Sequence, residues 1–187
     1  FNTSHTLYLD CSSGISGDMT VAALLDLGAD QKVLMDALSS LHLDGCHIKI
    51  SDVFKSGLKS CDFHVVLDEL HENHDHDMEY LHGSGSHTPH MHNAEHHESS
   101  ENTHSHHERN LGDITRILSS GRLTPHALEL ALKIFRIIAK AESQVHGKPV
   151  EEIHFHEVGA IDSIIDIAAV AVCIDNLGIE QVIIPFL

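Results

Sequence analysis

The order of apolar patterns along this chain predicts an α/β fold, with α+β as the alternative: a small mixed sheet packed with several helices and interrupted by a disordered insert. Three observations predict it. Residues 1–69 read as strand, two helices and two strands; residues 110–187 read as helix, helix, strand, helix and strand; residues 70–109 between them carry almost no aliphatic side chains. A chain of 187 residues can bury one substantial core, so 1–69 and 110–187 are read as two parts of the same domain.

Thr6 to Leu9 is a short strand, and Asp10 to Asp18 a loop that opens a helix through Met19 to Leu27, closed by Gly28. Asp30 caps a second helix, in which Val33, Leu34, Ala37, Leu38 and Leu41 recur at helical spacing. His47 to Phe54 and Leu58 to Leu67 form a hairpin around Ser56-Gly57. Beyond the insert, Leu111 to Leu118 is a short helix. Thr124-Pro125 starts a long one, with proline at its first position, Glu129 and Lys133 four apart, and Gly147 and Pro149 past its end. Residues 153 to 157 are extended, an apolar helix follows Asp162, and Gln181 to Pro185 begin a last strand. The apolar run Ile183 to Leu187 would leave that strand uncovered. A longer protein of which this is the front portion, or a second subunit such as a homo-oligomer partner, is the expectation there.

Net charge is −17 with histidine neutral, and its distribution says more than its size. From Ser60 to Glu108 there is no lysine or arginine while eleven acids accumulate, leaving about −6 for the remainder. Phosphate backbones require clustered cations, so a nucleic-acid partner is excluded. The most apolar stretch, Ile161 to Leu177, contains Asp162, Asp166 and Asp175, which argues against a membrane partner. Cys11, Cys46, Cys61 and Cys173 have neither Cys-x-x-Cys spacing nor a dense framework; a reducing, cytoplasmic location is expected.

The insert holds twelve of the twenty histidines: His71, His74, His76, His82, His87, His90, His92, His96, His97, His104, His106 and His107. Too few apolar groups are present to offset the entropy of ordering, hence the reading as a disordered tract. Imidazoles interleaved with carboxylates bind borderline divalent metals loosely, so metal loading is the candidate role and a solvated linker the plain one. Composition cannot select one metal, because such a tract follows the Irving–Williams order.

A second concentration of ligands lies in His154-Phe155-His156-Glu157-Val158-Gly159-Ala160-Ile161-Asp162-Ser163-Ile164-Ile165-Asp166. On a strand, His154 and His156 share one face. Asp162 and Asp166, four apart, share one side of the helix that follows. His154, His156, Glu157, Asp162 and Asp166 together make a mixed nitrogen and oxygen set suited to nickel, zinc, manganese or iron. The plainer reading makes Ser163 an N-cap with Asp166 as its capping-box partner, and the histidines ordinary exposed residues. Asp166 tips the balance toward a site: Ile164, Ile165 and Ile167 surround it, and a buried carboxylate needs a cation.

The third candidate is the front loop, Asp10-Cys11-Ser12-Ser13-Gly14-Ile15-Ser16-Gly17-Asp18-Met19. Where a strand hands over to a helix, backbone N–H groups of Ser13, Gly14, Ser16 and Gly17 can receive an anion such as a phosphate. Asp10 and Asp18 flank them as catalytic bases or metal ligands. It lacks the Gly-Lys-Ser/Thr ending of a P-loop, and a turn capped by Ser16 with glycines chosen for backbone angles is the plain alternative.

These motifs, in this order and on either side of a histidine-rich insert, resemble the LarC family of nickel insertion proteins over essentially the whole chain. One departure is Ser12, where the family pattern calls for an aromatic residue. The resemblance implies a cytosolic enzyme that inserts Ni2+ into pyridinium-3,5-bisthiocarboxylic acid mononucleotide, a nucleotide-like small molecule, completing the nickel-pincer cofactor of lactate racemase. It implies use of CTP with Mn2+ or Mg2+, a lyase-class chelatase, and a length roughly twice this one. The triphosphate site is then expected in an absent C-terminal domain or in a separate chain that supplies it. In the corresponding mechanism the insert gathers nickel, which passes to His154, His156 and a carboxylate among Glu157, Asp162 and Asp166. The substrate phosphate docks on Ser13 to Gly17, and Asp10, Asp18 or a histidine removes a proton from the pyridinium carbon. Two other functions fit the residues: a non-enzymatic nickel metallochaperone or store built on the insert, and a metal-dependent phosphoesterase or hydrolase using residues 154 to 166 with Asp10.

Overall fold

The structure, a computed structural model, describes residues 5–68, 109–155 and 158–185. The histidines from His71 to His107 lie outside the described residues, as does the disorder expected there. In chain order the elements are β1 His5–Tyr8, α1 Gly17–Asp26, α2 Gln31–Ser39, β2 Cys46–Lys55, β3 Leu58–Leu67, β4 Arg109–Asn110, α3 Leu111–Ser120, α4 Pro125–His146, a 3-10 turn Val150–Glu152, β5 His154–Phe155, α5 Ile161–Asn176 and β6 Ile179–Ile183. This is the expected mixture of helices and small sheets. Parallel and antiparallel pairing both occur, in three separate two-stranded ladders: β1–β6, β2–β3 and β4–β5.

The centre of the fold is α5. Ile161, Ile164, Ile165, Ala168, Ala169, Ala171, Val172 and Cys173 are all buried, so this helix is covered on most of its circumference. Its alanines let neighbours approach closely, and α1, α2, α4, β3 and β6 all pack against it. Val21 and Leu24 of α1, Leu34 and Leu38 of α2, Phe63 of β3 and Phe135 of α4 fill the same core. Each such side chain contributes about 1.5–3 kcal/mol relative to exposure.

Local chemistry explains the element ends. The Asp30 carboxylate accepts the N–H groups of Lys32 at 2.8 Å and Val33 at 3.1 Å, capping α2. Asn110 and Asp113 exchange side-chain-to-backbone hydrogen bonds in a capping box at the start of α3. Thr124 caps α4 with Pro125 behind it, and Gly147 ends the helix at a positive φ of 63°. In the hairpin, Lys55 pairs with Leu58, leaving Ser56 (φ 52°) and Gly57 (φ 82°) as a two-residue turn.

Two expectations are corrected. The second ordered segment resumes at Arg109, inside the range assigned to the insert, because Arg109 pairs with Phe155 across the β4–β5 ladder. Ser163 is not an N-cap: Ala160 holds that position and α5 begins at Ile161, so Ser163 lies within the first turn. All four cysteines are free thiols, and burial pushes the Cys173 thiol up to about 12.

Candidate functional site

Two helices begin with an acid one residue inside their first turn, Asp18 in α1 and Asp162 in α5, where the partial positive charge of a helix start favours a carboxylate. Asp18 accepts the Met19 N–H at 2.8 Å and the Ser16 hydroxyl. Asp162 accepts the Ser163 N–H at 2.8 Å. One turn further along α5, Asp166 packs against the backbone of Gly17. A Cβ placed on Gly17 would lie 2.7 Å from the Cβ of Asp166 and 2.8 Å from its Cγ, well inside contact distance. Gly17 is thus required by the approach of α5 to α1, and not by its backbone angles.

Asp18, Asp162 and Asp166 line one cavity of about 400 Å³, walled on its other side by His64, Val65, Val66 and Leu67 of β3. Residues nearly 150 positions apart are thereby brought together. Asp166 is the least comfortable of the three. Its Oδ1 is buried without a hydrogen-bond partner among the described residues. Burial, followed by the charges of Asp18 and Asp162, raises its pKa to about 7, against which the Asp18 backbone N–H acts only weakly. A cation placed among these carboxylates would satisfy the orphaned oxygen and cancel the repulsion. They line a wall and have not closed on a point: among the described residues, no three His, Cys, Asp or Glu side chains are already arranged to hold a metal ion.

Other candidates fall elsewhere. Asp10 is exposed and does not line the cavity; hydrogen bonds from the Ser12 side chain and N–H hold its carboxyl below the usual range. Ser13, Gly14 and Ser16 are exposed on a turn in which the Gly14 N–H donates to the Cys11 carbonyl at 3.0 Å and Gly14 adopts φ 82°. Ser16 occupies the N-cap position of α1 without capping it, its hydroxyl being donated to Asp18. His154 is exposed on β5 and is not among the cavity-lining residues, whereas Phe155 beside it is buried against Phe135, ring centroids 6.3 Å apart. His156 and Glu157 lie outside the described residues.

Two residues escaped the sequence reading. His64 lies on the cavity wall with its strand neighbours, but its strand pattern only says that it faces away from Phe63, not what it faces. Arg109 donates from Nη1 to the Gly159 carbonyl at 2.7 Å, pinning the turn that launches α5. Gly159 is required there, since a Cβ would come within 2.8 Å of the Phe155 carbonyl oxygen. The capping neighbourhood of Asn110 gives no local sign of that long-range bond.

No helix among the described residues is long and apolar enough to cross a membrane. Comparison with known proteins gives a match of residues 7–187 to the family described as nickel insertion protein. A relative from Alkaliphilus metalliredigens, named pyridinium-3,5-bisthiocarboxylic acid mononucleotide nickel insertion protein, is 46% identical over 97% of this chain and 39% of its own length. Relatives of the same name are 42% identical in Clostridium acetobutylicum, over 95% of this chain and 42% of theirs, and 39% identical in Acetivibrio thermocellus, over 94% and 37%. The chain therefore spans about two fifths of the length of the curated relatives it matches. No solved structure matches the chain.

Proposed function

The chain belongs to the nickel insertion protein family, and from that premise we propose that it is the metal-receiving portion of a protein that loads Ni2+ into pyridinium-3,5-bisthiocarboxylic acid mononucleotide. What carries this reading is the meeting of Asp18 with Asp162 and Asp166 in one cavity, where a buried carboxylate oxygen has no partner. A divalent ion is the species that such a wall lacks, and the three carboxylates offer it oxygen donors. Nickel is cargo here, gathered by the histidine-rich tract and passed inward to Asp162 and Asp166, with His154, His156 and Glu157 as the further ligands on its route.

The substrate phosphate is assigned to the backbone of Ser13 to Gly17, exposed from Ser13 to Ser16, which leads in sequence to the cavity-lining Asp18. Of the two carboxylates among the candidate bases, Asp18 is the better placed, because it lines the cavity and Asp10 does not. CTP, with the Mn2+ or Mg2+ that accompanies it, is assigned to the portion of the family's length outside this chain; among the described residues no lysine or arginine lines the cavity to hold a triphosphate. A cytoplasmic location and a chelatase of the lyase class complete the proposal.

The test separates cargo collection from insertion. In a full-length relative, His154→Ala, His156→Ala or Asp162→Asn at the matching positions is expected to abolish formation of the nickel-bound product from precursor, Ni2+ and CTP. Removal of the tract matching 71–107 is expected mainly to raise the Ni2+ concentration required. Equal and complete loss in both would sink this division. A pure nickel store would instead lose nearly all bound ions with the tract, and a phosphoesterase would turn over a generic phosphate ester once metal-loaded.

A further inference from the structure

The β1–β6 ladder is two strands wide and parallel, and among the described residues no other strand pairs with either of them. Parallel sheets are ordinarily covered on both faces, and a ladder of two strands is marginal by itself. This one is open at its C-terminal end. Partners across a parallel ladder share a face, so Tyr8 and Ile183 point one way and Leu7 and Val182 the other. Leu7 is buried, yet Val182, on the same face, is 43% exposed and Ile184 42%. On the opposite face Tyr8 is 62% and Ile183 41% exposed. Apolar side chains therefore stand open on both faces at once, beside unpaired strand edges, an arrangement that in a stable protein is covered.

The occupant is indicated by length. About three fifths of the relatives' length lies outside the part that this chain matches. We propose that this remaining portion docks on the C-terminal end of the β1–β6 ladder, adding a strand to a free edge and covering Tyr8, Val182, Ile183 and Ile184. Strand addition supplies main-chain hydrogen bonds, and the apolar side chains of alternate residues supply the specificity. The docking end is also where the chain leaves β1 for the loop that leads to Asp18.

The experiment compares amide hydrogen exchange in three proteins: the 187-residue chain, a fusion in which the remaining length of the Alkaliphilus metalliredigens relative follows Leu187, and that relative unmodified. The amides of 6–9 and 181–184 are expected to exchange at least about tenfold more slowly in the two long proteins than in the short one. Tyr8→Asp or Ile183→Asp in the fusion should restore fast exchange at those amides while the β2–β3 hairpin stays protected. Equally fast exchange in the unmodified relative, or no effect of the two substitutions, would overturn the proposal. So would protection that appears in the short chain as its concentration rises, which would make a second copy the occupant.

Discussion

Asp166 is an acid held where water reaches it poorly and two further carboxylates face it. Its pKa of about 7 lies above the ordinary 3.8, so between those values the folded chain holds a proton that the unfolded chain has already lost. Stability from this group is therefore full below pH 4, falls as pH rises, and is gone above pH 7. Asp166→Asn removes the effect. In chelator, the urea midpoint of the variant is expected to overtake that of the native chain progressively from pH 4 to 7, with no further change above; parallel profiles would refute it. Added Ni2+ should reverse the order at pH 7.5, because only the native carboxylate gains a ligand. The sequence made this residue legible, since an acid set among Ile164, Ile165 and Ile167 has few ways to reach solvent. Gly17 was not legible in the same way. A glycine looks alike whether it serves a backbone angle or a close approach, and only the side chain of Asp166, distant in sequence, distinguishes the two.

Among the elements, the hairpin was the most legible and the short ladder the least. Ten-residue strands with a Ser-Gly turn carry their own register, so β2 and β3 follow from alternation and turn chemistry. Two-residue strands carry no period: β5 falls within the residues 153 to 157 read as extended, whereas β4 leaves no trace in composition although its Arg109 anchors the turn before α5. The parallel pairing of β1 with β6 spans more than 170 residues and is likewise invisible to any local pattern. The hairpin turn still holds strain that can be relieved. Ser56 sits at φ 52°, in the left-handed region where a non-glycine residue costs about 1–2 kcal/mol and asparagine less. Ser56→Asn, giving the favoured Asn-Gly turn, is expected to stabilise the chain by about 0.5–1 kcal/mol. Equilibrium urea unfolding with an unchanged m-value is the check, and a lowered midpoint would mean that Ser56 makes a contact worth more than the strain.

At the scale of the whole molecule, the cavity exists only because the two segments flanking the histidine-rich tract share one core. Val21, Leu24, Leu34 and Phe63 from the first segment are buried with Ile164, Ala168 and Phe135 from the second. Asp18 reaches Asp166 through that packing. Neither segment retains a closed core without the other: α5 would lose its covering from α1, α2 and β3, and the hairpin would keep α1 but lose its contact with α5. Continuity of the chain between them is therefore dispensable once folding is complete. A protease site engineered between His71 and His107 and cut in the folded protein should leave two pieces that co-elute in native gel filtration. They should unfold in one cooperative transition, and the cut chain should keep the pH profile assigned to Asp166. The midpoint should become concentration-dependent, since unfolding now releases two chains and the loop-closure entropy once limited by the tract is no longer shared. Separation of the pieces without denaturant would show that 1–69 and 110–187 are independent units, and would remove the physical basis for a cation site made by both.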